Sequence, residues 1–129
     1  MSMKKILIID DEPSITEIIG LYADRLGYAS DRAGSGDEAL ELLRRNCYWA
    51  VFCDYLMPGL GGLEIYARLC DMSNGRYRNF VLLTGTVLDD QVLLMTNQKN
   101  ILVFHKPFNF DGIKTAFSQL EALADCSRH

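Results

Sequence analysis

Short apolar runs alternate with longer amphipathic stretches along almost the whole of this chain, and that alternation leaves few folds open. Lys4-Lys5-Ile6-Leu7-Ile8-Ile9 is an unbroken apolar run behind two lysines, rich in β-branched residues. It suits a strand buried on both faces of a parallel sheet. Pro13 stands where a first helical turn tolerates it, and Ile15, Ile18, Ile19, Tyr22, Ala23 and Leu26 recur at helical spacing until Gly27. Tyr28 to Asp31 is expected to be a short second strand. Ser35 is placed to cap a helix that buries Ala39, Leu40, Leu42 and Leu43, and Ala50-Val51-Phe52-Cys53 reads as a third strand. A helix around Leu63 to Leu69, a strand Phe80 to Leu83, a helix around Leu88 to Thr96, a strand Ile101 to Phe104 and a helix around Asp111 to Ala124 complete the series. Strand-helix units repeated in this way require right-handed crossovers, so the expected fold is α/β: a three-layer sandwich around a five-stranded parallel sheet. Residues 1–129 are expected to be a single domain with its core at about 4–124, since no repeat, linker or low-complexity tract interrupts the pattern.

Composition narrows the partners. A chain of 129 residues that is 49% hydrophobic can bury a core without staples. Thirteen Lys and Arg against seventeen Asp and Glu give a formal charge of −4, which disfavours a polyanion, so no direct binding of nucleic acid is expected. Cys47, Cys53, Cys70 and Cys126 form no CxxC pair, and two histidines are too few for a zinc set; the cysteines read as reduced thiols of a cytoplasmic protein. No apolar run is long enough to span a bilayer, and no membrane association is expected. Met3 follows Met1 and Ser2 so closely that a native start at either methionine is open. Tyr48 and Trp49 read as packing residues at a strand entrance.

In open α/β sheets, ligands lie outside the carboxyl ends of the strands, so the residues that follow each apolar run matter most. After the first come Asp10, Asp11 and Glu12; after the third, Asp54; after the fourth, Thr84 and Gly85; and after the fifth, His105 and Lys106. The second strand ends in Asp31 and Arg32, with no evident partner. Each residue alone has a structural reading, because Asp and Thr are favoured at strand-to-helix turns. Their convergence is what carries meaning. Carboxylates held together repel and raise one another's pKa, and such a cluster commonly binds a cation. Hard oxygens without histidine favour Mg²⁺ or Mn²⁺ over zinc, and Mg²⁺ typically takes one or two carboxylates plus phosphate oxygens. A carboxylate, a lysine and a hydroxyl beside such a metal have the parts for in-line phosphoryl transfer.

From Lys4 to about Ala124 the sequence resembles the response-regulator receiver domain of two-component signalling. The resemblance is carried by Ile8-Ile9-Asp10-Asp11-Glu12-Pro13, by Phe52-Cys53-Asp54-Tyr55-Leu56-Met57-Pro58-Gly59, by Gly62-Leu63-Glu64, by Leu83-Thr84-Gly85 and by His105-Lys106-Pro107-Phe108, in family order and at compatible spacing. It implies the flavodoxin-like receiver fold with strand order 2-1-3-4-5. It further implies that Asp54 is the phosphoacceptor, attacking a phosphohistidine, and that Asp11 is a direct metal ligand. Asp10 would act largely through metal-bound water, and the backbone carbonyl of Leu56 would complete the Mg²⁺ (or Mn²⁺) set together with Asp54. Thr84 and Lys106 would each hold a phosphoryl oxygen, and Lys106-Pro107 is a candidate cis bond. Implied partners are a sensor histidine kinase or a histidine phosphotransfer protein, and a downstream protein or output domain. A weak homodimer through the face of the fourth helix, fifth strand and fifth helix belongs to the same expectation. The domain would be no enzyme toward external substrates, catalysing only its own phosphorylation and dephosphorylation. Glu12 has two readings, a site residue or a carboxylate favouring the helix dipole.

Three departures from the family pattern stand out. Val103 occupies the place three residues before the lysine where a switch aromatic is usual, and Phe104, one position on, points to the other face of the strand. Gly61 stands where Asp commonly precedes the glycine that opens the third helix. Asn97-Gln98-Lys99-Asn100 replaces a small Gly-Ala turn. A pseudo-receiver that serves only as a docking module is the alternative reading, and the intact acidic cluster argues against it. A phosphohydrolase would want an acid two residues after Asp54, where Leu56 has no proton to give.

Overall fold

The computed structural model describes residues 4–72 and 79–126, with no account of the side chains of 124–126. The two possible starting methionines and the thiol of Cys126 therefore lie outside the described residues. The elements run β1 (Lys5–Ile9), α1 (Pro13–Arg25), β2 (Ala29–Ala33), α2 (Gly36–Arg45), β3 (Ala50–Asp54), α3 (Gly62–Met72), β4 (Phe80–Thr84), α4 (Asp90–Gln98), β5 (Leu102–His105) and α5 (Phe110–Cys126). The strands form one parallel sheet in the order β2-β1-β3-β4-β5, as the resemblance implies.

Alternation along the strands divides the interior into two cores. Leu7, Ile9, Val51, Cys53, Phe80 and Leu82 face one way, toward Ala39, Leu40 and Leu43 of α2 and Ile65, Tyr66 and Leu69 of α3. Ile6, Ile8, Ala50, Phe52, Val81 and Leu83 face the other way, toward Ile19 and Ala23 of α1 and Ile113, Ala116, Phe117 and Leu120 of α5. Each layer is apolar through its thickness, so β1, β3 and β4 are buried on both faces and their sequences show no polar alternation.

Caps fix where several helices begin. Ser35 accepts from the backbone N–H of Glu38 at 3.2 Å, as its sequence position suggests. Asp89 accepts from Val92 N–H at 2.9 Å, so α4 starts at Asp90, two residues later than the apolar pattern indicates. Leu88 is buried in the preceding loop instead of opening the helix. The strand β2 also differs from expectation: it covers Ala29–Ala33, not Tyr28 to Asp31, because it pairs with the full length of β1, from Lys5 opposite Ala29 to Ile9 opposite Ala33. Asp31 and Arg32 thus lie inside a strand rather than at its end. Asp31 also has partners, an ion pair with Lys5 at 2.9 Å and a hydrogen bond from the Tyr48 hydroxyl at 2.6 Å. The strand β5 is Leu102–His105, shifted by one residue, because Ile101 is spent in the turn that binds its N–H to the Thr96 carbonyl. Asn100 in that turn has a φ of 58°, a left-handed conformation that asparagine adopts more readily than most residues.

Candidate functional site

The chemistry-bearing residues converge at the carboxyl edge of the sheet. Asp10 follows β1 directly and is buried, its N–H donating to the Ala33 carbonyl of the neighbouring strand at 3.1 Å. Asp54 ends β3 and is buried, while Asp11 is exposed at the mouth. One carboxylate oxygen from each of Asp10, Asp11 and Asp54 lies within 4.8 Å of the others. Among the described residues no other such group of acidic, cysteine or histidine side chains occurs.

Lys106 supplies the cation that lets this edge hold together. Its ammonium donates to Oδ2 of Asp10 at 2.7 Å, lies 3.4 Å from Oδ1 of Asp54 and 3.8 Å from Oε1 of Glu12. Two backbone bonds fix the frame around it: Lys106 N–H donates to the Thr84 carbonyl, and Tyr55 N–H to the Leu83 carbonyl, both at 2.7 Å. The Lys106-Pro107 peptide is cis. Asp10 has both oxygens engaged, since Oδ1 also accepts from the backbone N–H of Glu12 at 2.9 Å. Glu12 is therefore tied to the cluster through its main chain and faces Lys106 from the rim.

The electrostatics follow from burial and like charge. Burial, then the carboxylate of Asp10, push the Asp54 carboxyl above its ordinary value; the charge and hydrogen bonding of Lys106 pull it down without reversing the shift, and Asp11 adds to it. Burial works against the charged form of Lys106, yet hydrogen bonding to Asp10 and the charges of Asp10, Asp54 and Glu12 outweigh that and hold the ammonium above its ordinary value. A single lysine thus faces several carboxylates, and the excess negative charge is what a cation would relieve. All donors are hard oxygens, with no histidine or thiol among them, so the set fits Mg²⁺ or Mn²⁺. Cys53 packs in the core on the opposite face from Asp54, and burial pushes its thiol far up, as befits an unreactive packing residue.

Close backbone approach shapes the loop after Asp54. A Cβ on Gly62 would lie 2.6 Å from the carbonyl oxygen of Asp54, and one on Gly61 would lie 2.9 Å from that of Tyr55. Gly62 N–H donates to the Tyr55 carbonyl at 3.0 Å, so α3 starts pressed against the end of β3. The glycine at 61, where Asp is commoner, suits this tight approach. Leu56 turns its side chain out, 62% exposed. Val103 packs against the core shared with α2 and α3, whereas Phe104 packs against the core shared with α1 and α5, so the two residues do face opposite ways.

Thr84 ends β4 and is buried, and its partner is a residue that the family resemblance does not point to. Its hydroxyl is bound on all sides by Thr86: it accepts from the Thr86 N–H at 3.1 Å, lies 3.1 Å from the Thr86 carbonyl as donor, and meets Oγ1 of Thr86 at 3.2 Å. The Thr-Gly-Thr spacing is a usable signal for such a local turn. Gly85 between them is exposed, with open space where a side chain would project.

Residues 6–118 match the family described as the response regulator receiver domain. The chain belongs to that family. Among curated proteins, 61 residues are 39% identical to the transcriptional regulatory protein ResD of Bacillus subtilis, over 47% of this chain and 25% of ResD. Sixty-five residues are 32% identical to the transcriptional regulatory protein SrrA of Staphylococcus aureus, over 50% of this chain and 27% of SrrA. The matched segments span about a quarter of those regulators. The receiver fold is shared with the chemotaxis protein CheY4 of Vibrio cholerae, with a TM-score of 0.83 at 22% identity over 92% of this chain and 99% of that one. Response regulator protein TrrA of Thermotoga maritima, solved in complex with Mg²⁺-BeF, aligns with a TM-score of 0.79 at 32% identity, covering 92% of this receiver domain and 99% of TrrA. The chain is thus a receiver domain of two-component signal transduction, and among its described residues no helix is long and apolar enough to cross a membrane.

Proposed function

We propose that this receiver accepts a phosphoryl group on Asp54 from a phosphohistidine of a sensor histidine kinase or a histidine phosphotransfer protein, and that the modification changes its affinity for a downstream protein or output domain. One observation carries the reading: Asp10, Asp11 and Asp54 converge within 4.8 Å beside a lysine that reaches two of them. An oxygen of Asp54 attacks phosphorus as the donor's P–N bond breaks, giving an acyl phosphate and a free histidine side chain. Asp11, Asp54 and the backbone carbonyl of Leu56 would hold Mg²⁺ or Mn²⁺ directly. Asp10, both of whose oxygens already accept hydrogen bonds, would act through a bound water. Such a cation, when bound, neutralises charge developing on the phosphoryl oxygens. Lys106 would exchange its contact with Asp54 for a phosphoryl oxygen as a point charge, and Thr84 would donate its hydroxyl proton to another.

Within this reading the domain catalyses only its own phosphorylation and dephosphorylation, in the cytoplasm. Leu56, exposed beside the site, offers no general acid for turnover of external substrates. Because Val103 is aliphatic, a phosphate-driven change would reach the α4–β5–α5 face without the usual aromatic rotation. Leu93 and Leu94 of α4 lie exposed and would support a weak homodimer through that face. The test is incubation with Mg²⁺ and acetyl phosphate followed by intact-protein mass spectrometry. A single base-labile phosphoryl adduct is expected on the wild type and none on Asp54→Asn. An unmodified wild type, under conditions that load other receivers, would leave the docking-module reading in its place.

A further inference from the structure

The Thr84 hydroxyl has one proton to donate and two lone pairs, and in this structure a single residue engages it. The proton goes to the Thr86 carbonyl at 3.1 Å or is shared with the Thr86 hydroxyl at 3.2 Å, where either oxygen can be the donor, and the Thr86 N–H donates to Thr84 at 3.1 Å. A phosphoryl oxygen is only an acceptor. Thr84 can therefore serve a phosphate on Asp54 only by withdrawing its proton from Thr86. We propose that Thr86 is a positioning residue that holds Thr84 in a resting state and so sets how readily the domain enters its phosphorylated form. The proposal rests on the phosphoacceptor reading of Asp54, but adds a residue that the resemblance does not assign.

Its location suits the role. Thr84 is buried, whereas Thr86 is exposed in the loop between β4 and α4, so its side chain can change without opening the core. The Thr84 carbonyl accepts from Lys106 N–H at 2.7 Å, which fixes the backbone of residue 84 and leaves rotation of its side chain as the available motion. Two of the three contacts are to the backbone of Thr86 and survive substitution there. The hydroxyl-to-hydroxyl contact does not. Removing it weakens the resting arrangement by one neutral hydrogen bond, and at about 1 kcal/mol this corresponds to roughly a fivefold change in equilibrium.

The experiment measures the binding of beryllofluoride in the presence of Mg²⁺ as a stand-in for the phosphoryl group, in wild type, Thr86→Val, Thr86→Ser and Thr84→Val, and in the double variant of Thr84→Val with Thr86→Val. Thr86→Val keeps the shape and loses the hydroxyl; it is expected to bind several-fold more tightly, while Thr86→Ser matches the wild type. In the Thr84→Val background, Thr86→Val is expected to change nothing, because the group it releases is absent. Equal affinity in wild type and Thr86→Val would overturn the proposal, as would the same gain in both backgrounds, which would mark a merely structural effect. A wild type that binds no beryllofluoride would remove the phosphoacceptor reading and this inference together. A wild type that binds it, with an indifferent Thr86→Val, would remove only the inference.

Discussion

The two ends of the sheet handle charge in opposite ways. At the amino end each lysine has an acidic partner of its own: Lys4 meets Glu121 at 2.7 Å and Lys5 meets Asp31 at 2.9 Å. Aromatic rings back this end, with Phe117 of α5 stacked on Tyr28 at 4.2 Å and lying 5.2 Å from Phe52. At the carboxyl end, among the described residues, Lys106 is the one cation paired with Asp10, Asp54 and Glu12, with Asp11 beside them. One end is matched and packed, and the other is left short of positive charge. Aromatic packing goes with balanced charge at one end, and at the other the unbalanced carboxylates mark where a cation would bind favourably.

The sharpest way to break this comparison is at the packed end. Phe117→Ala removes a buried ring that spans three aromatic neighbours and should cost about 3–5 kcal/mol in chemical denaturation followed by circular dichroism. Next comes Lys106→Met, which leaves the fully buried Asp10 carboxylate without its cation; a loss of about 3 kcal/mol is expected without divalent metal. Millimolar Mg²⁺ should recover part of that loss, a result that thermal melts with and without the metal can check. The corresponding Lys4→Met at the other end breaks a half-exposed pair and should cost less than about 1 kcal/mol, fading with added salt. A Lys4 effect equal to that of Lys106 would erase the contrast.

The smallest effect concerns acid. Burial alone would raise the Asp31 carboxyl, but hydrogen bonds from Lys5 and Tyr48 and the charge of Lys5 outweigh it, so its pKa lies below the ordinary 3.8. A lowered folded value means that the folded state releases the proton more readily than the unfolded one. Its contribution is then complete above pH 3.8 and is lost as pH falls through the lower folded value. Asp31→Asn should therefore be less stable near neutrality and show a flatter decline below about pH 4 in acid titrations of stability. A parallel decline in both proteins would show that Asp31 does not contribute through its charge.

Much of this was legible in the sequence because the fold is locally consistent. The run Ile6-Leu7-Ile8-Ile9 announces a strand covered on both faces, and Asp10, Asp11, Asp54, Thr84 and Lys106 stand at successive strand ends where a parallel sheet must bring them together. What escaped was set by tertiary pairing. The strand β2 is an edge strand of sequence Ala-Ser-Asp-Arg-Ala, and its bounds follow from its register with β1, to which no apolar pattern points. Burial of Leu88 outside α4 depends on the Asp89 cap. The preference of Lys106 for Asp10 over Asp54, 2.7 against 3.4 Å, is a matter of side-chain reach that residue order does not encode. The Thr84 to Thr86 pairing, by contrast, is local: a hydroxyl two residues ahead of another across a glycine is a turn signal that residue order does carry.

Trp49, the chain's one tryptophan, has its ring almost parallel to that of Phe117, 4° apart in tilt and 6.3 Å between centroids, and Lys4 sits over its ring at 4.8 Å. Its indole is thus at the entrance of β3, at the opposite end of that strand from Asp54. As an optical probe it is wired to the seating of α5 rather than to the acidic cluster proposed to take the phosphoryl group. An emission change on adding metal or phosphodonor would therefore report that the last helix has shifted on the sheet, and silence would be compatible with a fully loaded aspartate.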